Sequence, residues 1–114
     1  MEFPTALDFL DSLGLEPIAV EPSMAYSRYI KRSEDGLHEL VFSFSAVDES
    51  FQTSLKFRDI EIFSISSEMV KAIEIISDDA GPFVRIVFEI GEALSEASIK
   101  FTPALHCKWR LLRK

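Results

Sequence analysis

Apolar positions along the chain recur at a period near 3.6 only at the start, and at a period of two almost everywhere afterwards. Ala6, Phe9, Leu10 and Leu13 fall at i, i+3, i+4 and i+7, which predicts one helix with these residues on a single face. Thr5 stands where a cap is needed, and Asp8 occupies the capping-box position three residues on. Gly14 supplies the left-handed residue that ends such a helix. Asp8 and Asp11 fall on or beside its wet face.

From there the pattern is that of strands. Residues 25–31 (AYSRYIK) predict a strand, and Ser33-Glu34-Asp35-Gly36 a turn in which glycine provides the positive φ. Leu40, Phe42, Phe44 and Ala46 then point one way, with Val41, Ser43 and Ser45 pointing the other. Val47-Asp48-Glu49-Ser50 interrupts the alternation, after which Phe51, Thr53, Leu55 and Phe57 share a face opposite Gln52, Ser54 and Lys56. A hairpin closed through those four residues places both phenylalanine faces on the same side. Residues 59–66 continue as a strand. Residues 66–76 fit a helix through Met69, Ala72, Ile73 and Ile76, but the isoleucine-rich end favours a strand over about 71–77. A turn over 77–82 leads to a strand at 83–90 with Val84, Ile86, Phe88 and Ile90 on its inner face. A loop over 91–96, a strand at 97–101, a break at Pro103 and a last strand over 105–113 complete the chain. In that last strand Leu105, Cys107, Trp109 and Leu111 alternate with His106, Lys108, Arg110 and Leu112. The expected architecture is α+β: an N-terminal helix, then a mainly antiparallel, curved meander sheet or half-barrel of about seven or eight short strands. All of it falls in a single domain, 1–114.

Composition narrows the function. At 114 residues, 47% apolar and 27% charged, the chain can bury one core, and ten phenylalanines suggest that aromatic rings fill it. Cys107 is the single cysteine, which excludes an internal disulfide framework and fits a reducing compartment. The first residues carry acids where a secretory signal carries bases, and no run of about 18 apolar residues exists to span a bilayer. A soluble, cytoplasmic protein is expected. Charge divides sharply: residues 1–99 carry a net −12, and residues 100–114, with Lys100, Lys108, Arg110, Arg113 and Lys114, a net +5. The acidic body repels phosphate backbones, which argues against direct nucleic-acid binding.

Catalytic signatures are missing. Four glycines, each at a turn or a helix end, build no phosphate loop, and no G-x-S-x-G elbow occurs among the fourteen serines. His38 and His106 lie too far apart for a zinc-binding helix motif. His106 and Cys107 are adjacent on a strand and so point to opposite faces, where they cannot chelate one ion together. Cys107 reads as a core thiol, in phase with Leu105 and Trp109. Asp78-Asp79 lacks the alternating oxygen ligands of a hard-ion loop and reads as turn chemistry. No cofactor, metal or catalysis is expected.

What remains is a series of acidic turns: Glu34-Asp35, Asp48-Glu49, Asp78-Asp79, and Glu92 with Glu96. Turns need polar residues, not acids in particular. If alternate hairpins close at one end of the meander, some of these pairs converge into a negative patch on a rigid scaffold, suited to steering a basic protein. The other reading is that acids at turns keep a phenylalanine-rich sheet from pairing edge to edge. The C-terminal segment AIEIISDDAGPFVRIVFEIGEALSEASIKFTPALHCKWRLLRK resembles small bacterial immunity proteins of contact-dependent and polymorphic toxin systems. The likeness lies in its layout of an isoleucine-rich strand, an acidic turn, an amphipathic strand and a late Trp-Arg strand. That resemblance implies a cytoplasmic, non-catalytic protein that binds and blocks one cognate toxin domain, in many cases a basic nuclease.

The expected contacts on such a partner are Asp48, Glu49, Asp78 and Asp79, with Glu34 and Asp35 as a second set. Two other classes stay open. One is a carrier of a small apolar ligand, held under a curved sheet in a cavity lined by Phe42, Phe44, Phe88 and Trp109. The other is a homo-oligomeric structural subunit pairing through exposed strand edges.

Overall fold

A computed structural model describes residues 3–102 and 104–113. Helix α1 (Ala6–Leu13) forms where the 3.6 period lies, and both halves of its capping box are made. The Thr5 hydroxyl accepts the Asp8 amide at 3.1 Å, and the Asp8 carboxylate accepts the Thr5 amide at 2.8 Å. Gly14 ends it at φ 69°, donating its amide to the Leu10 carbonyl at 3.0 Å.

Nine strands follow among the described residues, in two antiparallel meanders. The first sheet holds β1 (Ala19–Glu21), β2 (Tyr26–Arg32), β3 (His38–Ser45), β4 (Ser50–Phe57) and β5 (Ile60–Ser67), side by side in chain order. The second holds β6 (Val70–Asp78), β7 (Gly81–Ile90), β8 (Ala93–Lys100) and β9 (His106–Arg113), again in chain order. The expected single meander of seven or eight strands is thus corrected to nine strands in two sheets. The extra strand, β1, is three residues long and exposed throughout, so it leaves no buried period in the sequence. A short 3-10 helix, Pro22–Met24, separates it from β2, and Ala25 at φ 47° delays β2 to Tyr26.

Residues 70–78 form the strand favoured over about 71–77, with Val70 and Ile73 buried. Two more boundaries differ from expectation. The loop expected over 91–96 shrinks to Gly91-Glu92, because Gly91 at φ 60° turns the chain and β8 begins at Ala93. Ala46 leaves its strand for the turn. The break expected at Pro103 lies outside the described residues.

The core lies between the sheets. Tyr29, Leu40, Phe42, Phe44 and Phe51 enter from one side, and Val70, Ile73, Val84, Ile86, Phe88 and Ile99 from the other. Phe51 and Phe88 meet across the gap with ring centroids 5.0 Å apart. Phe9 is driven in from α1 and stacks on Tyr29 at 4.1 Å and on Phe44 at 5.9 Å. Each such ring contributes on the order of 2–3 kcal/mol by burial alone. Cys107 is half-buried against this core, and burial pushes its thiol up to about 11. No helix among the described residues is long and apolar enough to cross a membrane.

Candidate functional site

The acidic knob of the β3–β4 hairpin is the loop Ala46–Glu49, and its backbone is held on two sides. The Ser45 hydroxyl donates to the Met24 carbonyl at 2.7 Å and accepts the Asp48 amide at 3.2 Å. The amides of Ala46 and Val47 donate to the carbonyls of Ala25 and Met24 at 3.1 and 3.3 Å. Toward the second sheet, the Glu49 carbonyl accepts the Val70 amide at 2.9 Å. The crossover between the sheets, Glu68-Met69, is fixed in turn. The Ser67 hydroxyl accepts the Met69 amide at 2.9 Å and donates to the Glu89 carbonyl at 3.3 Å, and the Glu89 amide donates to the Met69 carbonyl at 3.0 Å.

Hairpin tip, crossover and the end of β7 therefore make one tied corner. Val47, Met69 and Ile90 stand exposed on its segments at 60%, 52% and 45%. Beside them are the carboxylates of Asp48, Glu49 and Glu68, none of which forms an ion pair among the described residues. Glu89 differs, being matched by Lys71 at 3.3 Å. Apolar residues flanked by free charge on a fixed backbone are the ingredients of a protein-binding surface. Glu68, Met69 and Ile90 escaped the sequence reading because tertiary structure, and no local motif, brings them to the knob.

The other acids expected to act with Asp48 and Glu49 lie elsewhere. Asp78 is at the far end of β6 from Val70, about 26 Å away at ~3.3 Å per residue. Its carboxylate is taken by Lys100 at 2.8 Å and by the Ala80 amide at 2.8 Å, and the Lys100 hydrogen bond first among these holds it below its ordinary value. Asp79 is exposed beside it. Glu34 and Asp35 sit on the β2–β3 turn, at the opposite end of β3 from the knob. Asp35 accepts the Ser33 hydroxyl at 2.6 Å and the Leu37 amide at 2.9 Å, so it builds its own turn. The six acids do not form one patch.

Glu96 is the largest departure. Grouped with Glu92 as a loop acid in the sequence, it is 7% exposed in β8 on the side of the second sheet away from the core. The Arg85 Nε donates to it, the Arg110 Nε does so at 3.1 Å, and Arg85 reaches Glu74 at 2.9 Å. Burial pushes the Glu96 carboxyl up, but the two guanidiniums outweigh it and leave it below its ordinary value. Part of the basic C-terminal run is thereby neutralised from within. The four residues expected to line a ligand cavity also separate: Phe42, Phe44 and Phe88 are in the packed core, while Trp109 is 47% exposed on edge strand β9. Among the described residues no group of three or more His, Cys, Asp or Glu is disposed to hold a metal ion.

No family model matches the chain, and no curated protein does. Among solved structures it is similar to a chain of the contact-dependent growth inhibition toxin–immunity protein complex from Klebsiella pneumoniae 342. The TM-score is 0.85 at 21% sequence identity, covering 96% of this chain and 95% of that one. The likeness extends over the helix and both sheets, and so establishes a shared fold.

Proposed function

We propose that this chain is a non-catalytic immunity protein that binds one cognate toxin domain inside the cell and neutralises it. The observation that carries this reading is the fold shared, nearly end to end, with a chain of a toxin–immunity complex. It agrees with the resemblance read from the C-terminal strands.

The tied corner supports a partner of basic character. Its carboxylates Asp48, Glu49 and Glu68 form no ion pair among the described residues, on a chain of net charge −7, a field that draws in a cationic surface. Val47, Met69 and Ile90 give that encounter an apolar centre to bury. A toxin that acts on nucleic acid carries such a cationic surface for its phosphates, and carboxylates held against that surface block the substrate. Asp78 and Asp79, with Glu34 and Asp35, are secondary contacts in this reading, since Asp35 and Asp78 already spend their charge within the fold.

The test is affinity capture from a lysate of the source organism, washed at low and then high salt, followed by expression of the captured protein in cells with and without this chain. One basic partner, held in stoichiometric amount and toxic only when this chain is absent, is the expected result. A retained partner whose toxicity this chain does not relieve overturns the reading.

A further inference from the structure

The two sheets present four edges, from β1, β5, β6 and β9. Three carry some protection against pairing with another chain. β1 is only three residues long. Residues 71–75 of β6 line a groove with Phe3, Pro4, Asp8 and Ser12 of the helical segment. β9 bears Lys108 and Arg110. β5 is eight residues long, IEIFSISS, with a single charge at Glu61 and neither proline nor lysine. Its one irregularity is Ile62, the extra residue where the pairing shifts between Leu55↔Phe63 and Lys56↔Glu61, and Phe63 to Ser67 run regularly beyond it.

We propose that β5 is a homodimer interface, at which it pairs antiparallel with β5 of a second copy about an axis at Ser64. A continuous sheet must keep core-facing side chains on one side, so residues 63, 65 and 67 can stand only opposite one another. Centring on Ser64 puts Phe63 opposite Ile65 of the other copy and Ser64 opposite Ser64, while the bulge at Ile62 shifts Glu61 out of this register. The half-buried Phe63 and Ile65 thereby gain apolar neighbours, and no carboxylate meets a carboxylate.

Charge decides between occupants. A basic partner is drawn to the free carboxylates of the corner, whereas Ile62–Ser67 carries no charge at all. On an acidic chain that strip is where a like-charged copy can approach with least repulsion. The interface is isologous and closes at two copies, leaving no free β5 edge for further growth.

Sedimentation of the full chain from micromolar to sub-millimolar concentration tests this. Wild type is expected to move from one to two chain masses. Ser64 is exposed, so Ser64→Lys and Ser64→Glu should fold as wild type does, with circular dichroism and melting as the check. Each sets like charges face to face on the axis and should weaken the dimer by about tenfold or more. Mixing the two variants restores pairing, because lysine then faces glutamate. A wild type that stays monomeric overturns the proposal. So do variants that dimerise unchanged, and so does a mixture that fails to pair.

Discussion

The Val70 amide donates to the Glu49 carbonyl at 2.9 Å, which ties the first residue of the second sheet to the last residue of a first-sheet turn. That one bond explains why the acidic knob is part of the scaffold and not a loose tip. Glu49 holds this position at φ 52°, in the left-handed region that glycine occupies freely and a side chain does not. Glycine at this position relieves the backbone and removes the carboxylate in one substitution, so strain and charge can be read by different measurements.

Glu49→Gly should therefore separate stability from binding. Relief of the left-handed strain outweighs the added freedom of the unfolded chain, and the variant is expected to gain about 0.5–1 kcal/mol. Denaturant unfolding measures the gain, and stopped-flow mixing with the captured partner should show slower association. A variant that is both less stable and undiminished in association contradicts the role given to Glu49.

Glu96 makes the opposite prediction, since its charge serves the fold. Glu96→Gln leaves Arg85 and Arg110 without their shared carboxylate and should cost about 1–3 kcal/mol at neutral pH, with both arginines partly exposed to water. Because its folded carboxyl titrates below its ordinary value, the stabilisation is complete above the unfolded value of about 4.3. It is lost as pH falls through the folded value. Thermal melts from pH 7 to pH 3 should show wild type losing stability on the acid side, and the Gln variant losing less.

Ser95 is fully buried and its hydroxyl has no partner among the described residues, between Phe88 and Leu111 in the register of the second sheet. A buried hydroxyl with no bond only costs desolvation, so Ser95→Ala should be neutral or stabilising by up to about 1 kcal/mol. A measured loss above about 1 kcal/mol would reveal a bond to the hydroxyl.

The helix was fully legible because its signals are local: Thr5, Asp8 and Gly14 do in the structure what their spacing implies. The strands were legible wherever one face is buried, as from Leu40 to Phe57. They were not where burial gives no period, as in β1, or where the turn defies the usual chemistry. Arg58-Asp59 closes the β4–β5 hairpin with both residues left-handed, at φ 50° and 67°, positions that ordinarily announce themselves as Asn-Gly. The division into two sheets was hidden because Glu68-Met69 is no longer than a hairpin turn, and only the pairing partners reveal a crossover. Of the tied corner, the hairpin turn that carries Asp48 and Glu49 could be read from sequence. That Asp78 is matched by Lys100, and that Glu68 joins the knob, depends on residues about twenty apart in the chain.

This difference between the two acid pairs gives the sharpest prediction. Asp48→Lys with Glu49→Lys reverses two charges that form no ion pair among the described residues, on the surface proposed to receive a cationic partner. Association at low salt should slow by about tenfold or more, and its dependence on salt should flatten. Asp78→Asn removes a charge already matched by Lys100, so association should stay within about twofold of wild type, with any loss appearing in melting temperature. Rates measured at two or three salt concentrations decide the matter. If Asp78→Asn slows association as much as the double lysine variant does, the partner docks across the β6–β7 turn and not at the corner held by Val70 and Glu49.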